Sequence, residues 1–82
     1  MSVDGNRIAE VVLRALAGIA PEAGLGRLDS AADLQEALDL DSMDFLNLGT
    51  AVSEATGVDI PERDYPLVAS LSGCVAHVAR RR

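Results

Sequence analysis

Ile8, Val11, Val12, Ala15, Leu16 and Ile19 fall at i, i+3, i+4, i+7, i+8 and i+11, the register of one helical face. Arg7, Glu10 and Arg14 occupy the opposite face, with Glu10 and Arg14 spaced for an i,i+4 ion pair. Asp4 is the predicted N-cap, and Gly18 with Pro21 closes the segment. Phe45, Leu48, Gly49, Val52 and Ala55 predict the core face of a second helix, which starts at Asp41 or Ser42 and stops at Gly57. Leu71, Cys74, Val75 and Val78 predict a last helix, with Ser70 as its N-cap and Arg80, Arg81 and Arg82 at its negative dipole end.

Two stretches connect these helices. Residues 20–41 are too long for a structureless loop in so small a chain. Leu25, Leu28, Leu34, Leu38 and Leu40 give this stretch anchors over the core, so it is expected to be ordered. Ser30-Ala31-Ala32-Asp33 resembles a capping box and predicts a short helical turn through Gln35 and Leu38. Further on, Val58-Asp59-Ile60-Pro61 reads as an extended link, since Pro61 pushes Ile60 out of the helical region. Glu62–Tyr65 leaves room for one helical turn before Pro66.

Composition narrows the fold to an all-α one. The chain has 82 residues, enough for one domain with one modest core, and Phe45 and Tyr65 are its only aromatic residues. Its core must be aliphatic, which suits packed helices better than a sheet. The net charge of −6 argues against nucleic acid and favours basic protein partners. A lone Cys74 forbids an internal disulfide and fits a reducing compartment. Met1-Ser2-Val3-Asp4 lacks the pattern of a signal peptide, and no apolar run reaches bilayer-spanning length. The expectation is a soluble, cytoplasmic monomer.

Chemistry concentrates at Asp41-Ser42-Met43-Asp44. Asp41 can accept from first-turn N–H groups, and Asp44 complements the helix dipole. Ser42 then stands at the first helical position, where unpaired donors and partial positive charge tolerate a phosphodiester. A second stripe of the same helix, Met43, Leu46, Asn47, Thr50 and Glu54, mixes apolar and polar residues off the core face and is a candidate docking surface.

Over nearly its whole length the chain resembles bacterial acyl carrier proteins. Their Asp-Ser-Leu motif reads Asp41-Ser42-Met43 here, their loop leucines match Leu34, Leu38 and Leu40, and their Ile-Pro link matches Ile60-Pro61. Residues 70–79 match the family's final amphipathic helix. The resemblance implies a four-helix bundle of three main helices and a short third helix, with a long ordered first loop. It also implies a 4′-phosphopantetheine arm placed on Ser42 by a phosphopantetheinyl transferase, with acyl groups carried as thioesters. Asp41 would share the attachment site. Met43, Asp44, Leu46, Asn47, Thr50 and Glu54 would meet partners, namely acyl- or ligase-type loading enzymes and downstream acyl-processing enzymes with basic patches. Phe45, Leu48, Val52 and Ile60 would line an acyl pocket, or simply be core.

The chain departs from the family pattern in two respects. Met43 replaces the usual Leu at similar volume. Asn47 and Ser53 stand where carriers of primary fatty acid synthesis often show Glu, which points to a specialised lipid, polyketide or secondary-metabolite pathway. Two other readings stay open. One is a free-standing peptidyl or aminoacyl carrier, although Leu38-Asp39-Leu40-Asp41 lacks the usual Gly-Gly. The other is an unmodified acidic helical adaptor docking through Met43, Phe45 and Leu46.

No catalytic or metal site is expected. His77, the only histidine, falls beside the core stripe of the last helix and reads as a surface residue. Cys74 reads as a small core hydrophobe, and one Cys with one His falls short of a zinc site. Asp59, Glu62 and Asp64 read as a solvated acidic face, with a docking role left open by their place next to the junction after the second main helix.

Overall fold

Ile8, Val12 and Leu16 are fully buried in the computed structural model, which describes residues 3–21 and 24–81. They form the inner face of α1 (Val3–Ile19). The other α-helices are α2 (Leu34–Ala37), α3 (Ser42–Thr56) and α4 (Leu71–Arg81), and 3-10 turns cover Leu25–Arg27 and Glu62–Val68. The architecture is the expected all-α one. α1, α3 and α4 are the three main helices, the Glu62–Val68 segment stands as the short third, and α2 is the helical turn inside the first connection. α1 packs on both α3 and α4, and α4 packs on the 3-10 segment.

One aliphatic cluster fills the centre. Phe45, Leu48 and Val52 of α3 join Val58, Ile60 and Val68 from the second connection and Cys74, Val75 and Val78 of α4. Leu34 and Leu40 reach the same cluster from the first connection. Each fully buried Leu, Ile or Val contributes about 1.5–3 kcal/mol of transfer free energy, and this offsets the entropy of ordering the long connection.

That connection is held by more than its leucines. Leu34 N donates to Ala69 O at 2.8 Å, Ser72 N donates to Ser30 O at 2.9 Å, and Asp33 pairs with Ser70 in an isolated antiparallel bridge. The loop is thus stitched to the start of α4. Residues 22 and 23 of the stretch expected to be ordered, with Met1, Ser2 and Arg82, lie outside the described residues.

Several local expectations are corrected. Asp4 stands inside α1, not ahead of it. The Glu10–Arg14 pair is absent from the ion pairs among the described residues, where both side chains are exposed and gain little by meeting. The cap of α2 is Asp33, whose side chain accepts from Glu36 N at 3.1 Å, while Ser30 serves the link to α4 through its carbonyl. Ala55 is exposed, since ten residues beyond Phe45 the helical phase has rotated off the core stripe. Pro66 does not end its segment but lies inside a seven-residue 3-10 helix. An α-turn would drive the ring into the carbonyl four residues back, whereas 3-10 winding forfeits only one donor.

His77 is the largest correction. It is buried, 2% exposed, because the 3-10 segment covers the flank of α4 on which it sits. Its Nε2 has no hydrogen-bond partner and faces Asp64 Oδ2 at 3.6 Å. Asp64 is accordingly half-buried and not part of a solvated acidic face, and Arg81 donates to the same oxygen at 3.2 Å.

Candidate functional site

Asp41 enters α3 in an extended conformation, and its Oδ1 accepts from Asp44 N at 2.8 Å. Asp44 Oδ2 returns the contact, accepting from Asp41 N at 3.4 Å, so the two carboxylates form a reciprocal capping box around Ser42. The chain reaches this start through Asp39, the one described non-glycine residue at positive φ (54°). Asp tolerates that region better than most residues. Leu40 follows, buried, with its N–H on Gln35 O at 2.9 Å. The reversal at Asp39 and the anchor at Leu40 together aim the α3 N-terminus out of the bundle. At the far end Gly57, at φ 74°, closes the helix in the left-handed conformation.

Ser42 is exposed and opens onto a groove of about 530 Å³. Met43, Phe45, Leu46, Tyr65, Pro66 and Ala69 supply its apolar surface. Asp33, Gln35 and Glu62 supply polar groups alongside Ser42. The groove therefore runs between α3 and the 3-10 segment, with α2 bordering one end. The stitching of the first connection to α4 fixes that border.

The remaining residues singled out by sequence divide into two sets. Met43 (63% exposed), Leu46 (43%), Asn47, Thr50 and Glu54 share the outward face of α3, and Asp44 is half-buried at its start. Phe45, Leu48, Val52 and Ile60 are all buried in the central cluster, and of these only Phe45 reaches the groove. Sequence reasoning passed over Tyr65, Pro66, Gln35 and Asp33, which line the groove, and Leu67, 54% exposed on the 3-10 segment. Tyr65 alone carried a signal, as one of two aromatics in the chain.

Residues 7–78 match the protein family described as the phosphopantetheine attachment site. The chain belongs to that family. It is a carrier, not an enzyme, and its domain is the site of covalent 4′-phosphopantetheine attachment. Carriers of this family interact with phosphopantetheinyl transferases and acyl-processing enzymes. No curated protein matches the chain significantly.

The site suits such a group. The carrier has an exposed serine hydroxyl on a first turn and a groove of mixed polarity beside it. The capping carboxylates are engaged by backbone N–H groups, which limits their opposition to a phosphodiester. Among the described residues no set of three or more His, Cys, Asp or Glu could hold a metal ion. No helix among them is long and apolar enough to cross a membrane. Cys74 is unsuited to thiol chemistry, because burial pushes its pKa up to about 11.

Proposed function

We propose that Ser42 bears the phosphopantetheine and that this protein is an acyl carrier of a specialised lipid, polyketide or secondary-metabolite pathway. The observation that carries the reading is the exposed position of Ser42 on the first turn of α3, inside the family-matched stretch and on the lining of the groove. When bound, the group supplies a terminal thiol that holds acyl chains as thioesters.

The chain's own residues present and surround that attachment. Asp41 holds the first turn so that Ser42 faces solvent, where a transferase can reach it. The unpaired N–H groups and dipole of α3 favour an anion at this position. Met43, Leu46, Asn47, Thr50 and Glu54 offer a contact face that combines exposed apolar area with few charges. Asp41, Asp44 and Glu54 are its carboxylates, and with the overall charge of −6 they favour partners with basic patches. Exposed Asn47 and half-buried Ser53 thin the acidity expected of a primary fatty acid synthesis carrier, which supports a different set of partners.

The test is intact-protein mass spectrometry after incubation with coenzyme A and a broad-specificity phosphopantetheinyl transferase. One phosphopantetheine should be gained, and none by Ser42→Ala. No gain by folded, unmodified protein would reject the assignment in favour of an adaptor. Efficient turnover of the malonyl form by a generic fatty acid synthase would reject the specialised pathway.

A further inference from the structure

Gly49 is buried on α3, and the ring of Tyr65 lies on it. The Tyr65 hydroxyl oxygen lies 3.4 Å and Cε1 3.5 Å from where a Cβ at Gly49 would stand, so the ring lies directly over this helix position. The same ring packs against Phe45 with centroids 5.4 Å apart and planes tilted by 59°. These are the only two aromatic residues in the chain, and both stand on the seam between α3 and the 3-10 segment. Both line the groove beside Ser42, while Leu48, Val52 and Ile60 are buried and line none of it.

A chain hung near Ser42 thus meets two rings in contact before it meets the aliphatic core. Aliphatic side chains yield rotamer by rotamer, but a tilted ring pair moves only as stiff plates and loses its mutual contact when it does. The polar groups of Asp33, Gln35 and Glu62 border the groove and suit polar functions on a cargo better than bare methylenes.

We infer that Tyr65, seated on Gly49 against Phe45, is a specificity-determining residue that closes the core to long saturated acyl chains and confines this carrier to short acyl groups bearing polar functions. The inference rests on attachment at Ser42. Of the two roles expected of Leu48, Val52 and Ile60, acyl pocket or core, it favours the core, which Tyr65 protects.

The experiment compares octanoyl-loaded with unacylated holo protein, after mass spectrometry has verified that each is loaded. Failure to load would overturn the attachment reading and with it this inference, whereas the readouts on loaded protein test Tyr65 alone. The readouts are the methyl NMR signals of Leu48, Val52 and Ile60 and the thermal unfolding midpoint. In wild type, octanoyl should leave both unchanged. In Tyr65→Ala, octanoyl should shift the three methyl signals and raise the midpoint by about 4 °C or more, as a ligand filling an apolar site does. Tyr65→Leu, which keeps an apolar side chain of flexible shape, should respond in the same direction and serves if the alanine variant does not fold. Core signals that respond to octanoyl in wild type would overturn the inference. So would variants that respond no more than wild type.

Discussion

His77 Nε2 lies 3.6 Å from Asp64 Oδ2, fully enclosed and without a hydrogen bond, while Arg81 donates to that same oxygen at 3.2 Å. Both basic side chains face one carboxylate oxygen, but only the arginine is within hydrogen-bond reach, and the imidazole Nε2 stays beyond it. An enclosed polar atom without a partner costs about 1–3 kcal/mol. His77→Leu should raise stability in urea unfolding by roughly 1 kcal/mol, since the Asp64–Arg81 contact survives and the orphaned nitrogen is gone. A loss of stability in this variant would show that the imidazole contributes more than it costs.

Gly73 is required by a close approach. A Cβ there would lie 2.5 Å from the Leu67 carbonyl oxygen, so α4 can rest on the 3-10 segment only without a side chain. Gly73→Ala should destabilise by about 1–3 kcal/mol. Gly18→Ala meets nothing within 4 Å on α1 and should stabilise by up to about 1 kcal/mol. Denaturant midpoints of the pair check both signs, and similar shifts for the two would refute the packing argument.

Burial raises the Cys74 thiol from 9.0 to about 11. Below pH 9 the thiol is protonated in both folded and unfolded chains and has no effect on the pH dependence of stability. Between pH 9 and about 11 the unfolded chain loses its proton first, so stability falls as pH rises, by up to roughly 2–3 kcal/mol. The decline should be shallower in Cys74→Ala. Iodoacetamide at pH 8 should label the native protein far more slowly than the urea-unfolded one, and equal rates would contradict the burial of Cys74.

The capping box predicts a separation of binding from folding. Asp41→Ala should cost about 1 kcal/mol in stability by removing the acceptor for Asp44 N. It should also slow phosphopantetheine transfer by frayed presentation of Ser42, with transfer still reaching completion. Ser42→Ala should abolish transfer at nearly unchanged stability. Time-resolved intact mass and urea unfolding of both variants distinguish the two effects.

What sequence revealed, and what it concealed, follows from the range of the interactions. The start of α3 was legible because Asp41, Ser42 and Asp44 act within one turn, and Gly57 and Ser70 end or begin helices by equally local means. The faces of α1, α3 and α4 were legible from periodicity. His77 was not, because its burial depends on a 3-10 segment docking over the flank of α4, and that docking turns on Gly73 and on a Pro66 that does not break its helix. The groove was hidden for the same reason. Tyr65 comes to the groove beside Ser42 from a distant part of the chain, and the border at Asp33 is fixed by a bridge to distant Ser70. Asp39 at positive φ had no pattern to announce it.

The stitching of Ser30, Asp33 and Leu34 to Ala69, Ser70 and Ser72 sets an order of assembly. One border of the groove comes from the first half of the chain, and its fastening comes from the start of the last helix. Contacts between such distant residues form late, after the entropy of the intervening loop has been lost. A nascent chain can build the first turn of α3 from local residues alone, yet it has no groove beside Ser42 until α4 has docked. A transferase that senses only the helix start could modify a half-folded chain, whereas one that grips the groove as well would select finished molecules.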